Sequence, residues 1–124
     1  MKKSEILVKR GEIWLIRYHK TEAMGTEIYS QSKHPDKPRP APIISKDWQN
    51  EKNNRVIAVP LSRTLQPFYE GWEIKVRVNN QDGKIMCDQV RNFDKNKRLI
   101  RKVGVMPKEI VKQVEEKLKD LIWL

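Results

Sequence analysis

One cysteine and two histidines in 124 residues close several routes at once. Cys87 alone can form neither an internal disulfide nor a cysteine zinc cluster, and a lone thiol suits a reducing compartment. Set among apolar residues, it reads as core rather than as a nucleophile. His19 and His34 lie in turn-rich sequence without a second histidine at ligand spacing or a Cys-x-x-Cys pair, so no metal site is expected. Five glycines make no Gly-rich phosphate loop. No apolar run reaches membrane-spanning length, and Met1 to Lys9 lack the apolar stretch of a signal peptide. These absences predict a cytoplasmic protein that needs no cofactor and does not engage a membrane.

Acidic residues are also scarce, 16 against 26 lysines and arginines, which leaves a formal charge of +10. Between Pro107 and Leu124, Lys108, Lys112, Lys117 and Lys119 balance Glu109, Glu115, Glu116 and Asp120. The whole excess therefore belongs to the main body. Such a field attracts polyanions, with nucleic acid first and an acidic protein second. The length predicts one domain over residues 1–124, with a β-rich body from about 8 to 105 and a C-terminal helix from about 107 to 123.

Turn formers cut the body into short apolar pieces, the pattern of a small β fold. Ile13 to Tyr18 reads as a first strand opened by Gly11, with Trp14 in the core. A long loop from His19 to Pro38 follows, and loops of that size are often functional or disordered. Ala41 to Ser45 reads as a second strand, in which Pro42 marks either an edge position or the strand's first residues. Lys46 to Asn54 is a polar connection, and Val56 to Leu61 a buried strand that delivers Ser62 at its exit. Gly71 to Val78 alternates, with Trp72, Ile74, Val76 and Val78 on one face. Asn79 to Gly83 turns the chain, Lys84 to Val90 carries Cys87 and Asp88 in a further strand, and Leu99 to Val103 is the last. After Pro107, Ile110, Val111, Val114, Leu118, Leu121 and Ile122 recur at helical spacing.

Polar residues stand at the ends of these apolar pieces: Glu27, Arg39, Ser62, and Asp88 with Gln89. Proline fixes φ and biases the residue before it toward extended backbone, so Arg39 before Pro40 is held out at a strand entrance. Cleavage of an RNA phosphodiester requires a base for the 2′-hydroxyl, an acid for the leaving 5′-oxygen and a cation for the phosphorane. Arg39 could clamp charge, Ser62 could donate to a phosphoryl oxygen, and Asp88 or Glu27 could accept a proton. The plainer alternative makes each a solvated turn, cap or surface residue.

The order of the pieces resembles the MazF/PemK toxins of bacterial toxin–antitoxin systems over nearly the whole chain. The likeness is carried by Lys9 to Leu15, Gly25-Thr26-Glu27, Arg39 to Ser45, Val56 to Ser62, Cys87 to Arg91, and Asp94 with Arg98-Leu99. It implies a mainly β SH3-like barrel with a C-terminal helix, a homodimer, and an endoribonuclease that cuts single-stranded RNA without metal. It implies also an antitoxin whose acidic segment lies on the basic RNA groove. In this resemblance Arg39 matches the family's arginine before proline, Ser62 its hydroxyl residue, Asp88 the acid of the Cys-Asp-Gln run, and Glu27 the acid after Gly-Thr. The proton acceptor stays undecided between the last two.

The chain departs from that pattern in three places. Met86 stands where the PemK branch has an arginine, so a second phosphate clamp is either missing or replaced by Arg91 or Arg63. Arg63 itself follows Ser62 where a small hydroxyl residue is usual. The gap from Glu27 to Arg39 is long and holds Tyr29 and His34, which would lie over the RNA groove, Tyr29 stacking on a base and His34 donating a proton; an idle insertion is the alternative. Gln89 would join Arg63 and Arg91 in RNA contacts. Two other functions fit the same barrel: a CcdB-like gyrase inhibitor, and a basic SH3-like nucleic-acid adaptor without turnover.

Overall fold

The computed structural model of the chain describes residues 6–18 and 37–123. Its elements run β1 Glu12–Ile16, β2 Arg39–Pro42, α1 Asp47–Lys52, β3 Arg55–Ala58, β4 Leu61–Ser62, β5 Glu73–Val78, β6 Gln81–Met86, β7 Arg91–Asp94, α2 Lys95–Arg98, β8 Leu99–Val105 and α3 Lys108–Ile122. The fold is mainly β with a C-terminal helix, as the sequence led us to expect. Among the described residues all strand pairs are antiparallel and form three small sheets, β2-β1-β8, β3-β7 and β4-β6-β5.

β1 lies between β2 and β8 and is covered on both faces, which explains its nearly unbroken apolar run. Trp14 and Ile16 point into one cluster with Tyr18, Ile43 and Phe93; Ile13 points into the other with Leu61, Ile74, Ile85 and Val114. Gly11 takes φ +91°, a left-handed conformation open to glycine, and there donates to Ile43 O and accepts from Met106 N. One residue thus joins the starts of β1 and α3 to the end of β2. Asn79 and Asn80, at φ 53° and 62°, make the tight turn between β5 and β6, and Asn79 Nδ2 donates to Val103 O of β8.

Prolines decide where the sheets stop. An Ile43–Ala58 bridge, with Val59 N donating to Pro42 O, carries β2 alongside β3. Beyond it Pro40, Pro42 and Pro60 lack the N–H that a continued ladder would require. β2 and β4 therefore lie side by side without one. The edge position inferred from Pro42 is what the structure has.

The helix α3 packs Val114, with Ile110, Val111 and Leu118, on the second cluster. An ion pair of 2.6 Å joins Arg10 to Glu115. The apolar stripe read from the sequence ends there, since Leu121 and Ile122 are exposed. α1 occupies the stretch expected as a polar connection, and β7 and α2 fill the polar segment before β8. A buried clasp holds α1: Lys95 Nζ donates to Asn50 O at 2.5 Å, Asn50 Nδ2 to Ser45 O at 3.0 Å, and Ile57 N to Ser45 Oγ at 3.0 Å.

Candidate functional site

The first two candidates stand on neighbouring strands. Past the Ile43–Ala58 bridge, β2 with Arg39 runs beside β4 with Ser62. Their neighbours Pro40, Leu61 and Arg63 line one small cleft of about 50 Å³, together with Ile13, Val76 and Val103. Arg39 is half-buried, pairs with Ile16 of β1, and belongs to β2 itself, two residues before the strand start expected from sequence. Arg63 is exposed at the cleft.

Ser62 is nearly enclosed. Its Oγ accepts from Thr64 N at 3.1 Å, which turns the chain out of β4. Gly83 allows β6 to pass so close, because a Cβ there would stand 2.9 Å from Ser62 O and 3.1 Å from Leu61 Cδ1. Directly across from Ser62 on β6 is Lys84, only 6% exposed. Lys84 Nζ lies 3.2 Å from Glu73 Oε1 and also donates to Pro67 O. Glu73 in turn accepts from Tyr69 N at 2.9 Å. A buried ion pair therefore fastens the 63–72 segment across the outer face of the β4-β6-β5 sheet, beside the candidate hydroxyl.

Sequence reading missed this pair. Alternation puts Trp72 on the face of Ile74, Val76 and Val78 and Glu73 on the other, whereas Glu73 is buried and Trp72 is 37% exposed just before β5 begins. The alternation fails because a carboxylate can be buried once a lysine from another strand neutralises it, and period-2 reasoning within one strand does not see the other. A charged residue in each of two hairpin strands, Glu73 and Lys84, was the available signal.

Asp88 is exposed and lies in a turn, because β6 ends at Met86 rather than continuing to Val90. Cys87 N donates to Trp72 O at 3.0 Å, which sets Asp88 beside the Glu73 end of β5, four positions along from Lys84. Partial desolvation, aided by the Glu73 charge, raises the Asp88 carboxyl above its ordinary value, while its own backbone N–H acts the other way. Burial pushes the neighbouring Cys87 thiol up to about 12, so it stays protonated and inert. Gln89 is half-buried and its N–H donates to Met86 O at 3.2 Å. Arg91 faces Ala58 across β3-β7, with its guanidinium 5.5 Å from the Tyr18 ring and 5.3 Å from that of Phe93. Arg39 and Arg91 share the face on which Ile16, Tyr18 and Phe93 pack. Met86 is buried and cannot serve as a clamp. Glu27, Tyr29 and His34 lie outside the described residues.

Arg39 and Ser62 thus stand on neighbouring strands, with a second cation, Arg63, at the adjoining cleft. Among the described residues no group of His, Cys, Asp and Glu gathers as a metal site, and no helix is long and apolar enough to cross a membrane.

Residues 9–122 match the family described as PemK-like, MazF-like toxin of type II toxin–antitoxin system. None of the curated proteins matches the chain. Among solved structures it is similar to MazF of Deinococcus radiodurans, at 18% identity and TM-score 0.72, covering 97% of this chain and all of that one. It is similar also to an endoribonuclease in complex with its cognate antitoxin from a mycobacterial species, at 16% identity and TM-score 0.69, covering 94% and 96%. A MazE-MazF complex from Deinococcus radiodurans gives 17% identity and TM-score 0.66 over 95% and 97%. At such identities these structures speak for the fold alone.

Proposed function

Because the chain belongs to the PemK-like, MazF-like family of type II toxins, we propose that it is a metal-independent endoribonuclease that cuts single-stranded RNA. What supports the reading is that β2, which holds Arg39, lies beside β4, which holds Ser62. The ribose 2′-hydroxyl attacks the adjacent phosphorus, the bond to the 5′-oxygen breaks, and the products are a 2′,3′-cyclic phosphate and a 5′-hydroxyl. The substrate carries its own nucleophile, so the protein supplies only charge and proton transfer. Arg39 stabilises the phosphorane, where charge on the non-bridging oxygens exceeds that of the ground state. Ser62 donates to one of those oxygens once substrate displaces its contact with Thr64.

Asp88 or Glu27 takes the 2′-hydroxyl proton, and His34 gives one to the departing 5′-oxygen. The raised value of Asp88 brings it nearer the range in which a carboxylate serves as general base or acid. Arg63, Gln89 and Arg91 contact the flanking strand, and Tyr29 and His34 act from the loop before Arg39. The protein works in the cytoplasm as a homodimer and is held inactive by an antitoxin whose acidic segment occupies the same basic face. The test is to sequence the 5′ ends produced from a defined RNA pool. Wild type should yield a restricted set of 5′-hydroxyl ends and Arg39→Ala none, with both proteins folded. RNA left whole by wild type, with or without a gyrase effect, would refute the proposal.

A further inference from the structure

The 63–72 segment ends in an exposed aromatic pair. Tyr69 is 46% exposed and Trp72 is 37% exposed, and their rings stack with centroids 5.0 Å apart at 17°. Large aromatic side chains left in water cost hydrophobic free energy, yet the backbone beneath them is tightly fixed. Tyr69 N donates to Glu73 Oε1, Tyr69 O accepts from both Trp72 N and Glu73 N, and Trp72 O accepts from Cys87 N. The Lys84–Glu73 pair anchors these bonds from below. The segment starts at Ser62 and finishes beside Asp88.

Cations lie along the segment that carries the stack. Lys75 Nζ stands 4.9 Å from the Phe68 ring, Lys117 Nζ donates to Glu70 O at 2.9 Å, and Arg63 is exposed at the root. Glu73 is neutralised by Lys84, leaving Glu70 and Asp88 against three cations. Preset parallel rings in a net basic setting, one strand away from a phosphate-gripping pair, suit unpaired bases better than an apolar protein face. We infer that the Tyr69–Trp72 stack is a base-stacking platform for the single-stranded RNA flanking the cut phosphate. The inference rests on the nuclease reading and adds to it where a neighbouring base is held. It carries sequence preference through stacking strength rather than base-edge hydrogen bonds.

The experiment titrates wild type, Trp72→Ala, Tyr69→Ala and Trp72→Phe with a short 2′-O-methyl RNA of mixed sequence, which binds but cannot be cut, following tryptophan emission and anisotropy. Wild type should lose emission on binding. Trp72→Ala should bind about 5- to 150-fold more weakly, the range that loss of one base–aromatic contact gives, while Trp72→Phe stays within a few-fold of wild type. Circular dichroism should show all four equally folded. If Trp72→Ala and Tyr69→Ala bind and cut like wild type, the platform is refuted and the nuclease stands. If these variants instead weaken self-association or antitoxin capture with RNA affinity unchanged, the stack is a protein-docking face and the inference fails. A wild type that neither binds nor cuts RNA removes both readings.

Discussion

Lys84 and Lys95 are buried to almost the same degree, 6% and 5% exposed, yet they hold different things. Lys95 reaches a neutral carbonyl, Asn50 O, and clasps α1 to the body. Lys84 meets a carboxylate, Glu73, and through Pro67 O and Tyr69 N the pair fixes a whole surface segment next to Ser62. A buried charge is costly, so each must do something that an apolar residue of like size would not. The clasp ties α1 to the body. The ion pair orders an exposed surface and keeps a charge beside the site without presenting it to solvent.

The comparison can be broken most forcefully at the ion pair. Glu73→Ala or Lys84→Met alone strands its partner and should cost about 3–5 kcal/mol in urea unfolding, and cleavage per folded molecule should fall as well. Replacing both, Lys84→Met with Glu73→Leu, should restore most of the stability but not the cleavage rate, because the segment beside Ser62 is no longer pinned. At Lys95 the same substitution to Met leaves only a carbonyl unsatisfied. It should cost about 1–3 kcal/mol and leave cleavage per folded molecule unchanged. Equal effects of Lys84→Met and Lys95→Met on cleavage would erase the distinction.

Gly83→Ala sharpens the local claim. Its new methyl meets the Ser62 carbonyl, and β4 must shift, so about 1–3 kcal/mol of stability should be lost together with activity. The smallest effect concerns Asp88. Its value is raised in the folded protein, so the stability it contributes is present below the ordinary aspartate value and lost as pH rises through the raised one. Asp88→Asn should therefore melt slightly higher than wild type at neutral pH, with the advantage fading in acid.

Much of the architecture is legible in the residues. Turn formers spaced the strands, Pro42 marked an edge, and helical spacing after Pro107 marked α3. The two short helices are not legible, because Asp47–Lys52 and Lys95–Arg98 complete too few turns for a period to show. Asp88 was expected in a strand, since nothing local says that Cys87 N will bond to Trp72 O and turn the chain. At the site, Arg39 and Ser62 could each be singled out from their proline and strand-end contexts, but their proximity depends on the pairing of Ile43 with Ala58. Lys84 stayed hidden for the same reason: its partner Glu73 lies across a hairpin, and its neighbour Ser62 on another strand.

The central claim is that Arg39 and Ser62 serve a reaction in which RNA supplies the nucleophile and no metal is required. The direct measurement is cleavage of a mapped RNA substrate, with and without a single 2′-deoxy substitution at the cut nucleotide, in excess chelator. The account predicts that chelator leaves cleavage of the natural substrate unchanged and that the single deoxy substitution abolishes it. Cleavage of the deoxy substrate, or loss of activity on chelation that returns with added metal, would contradict it.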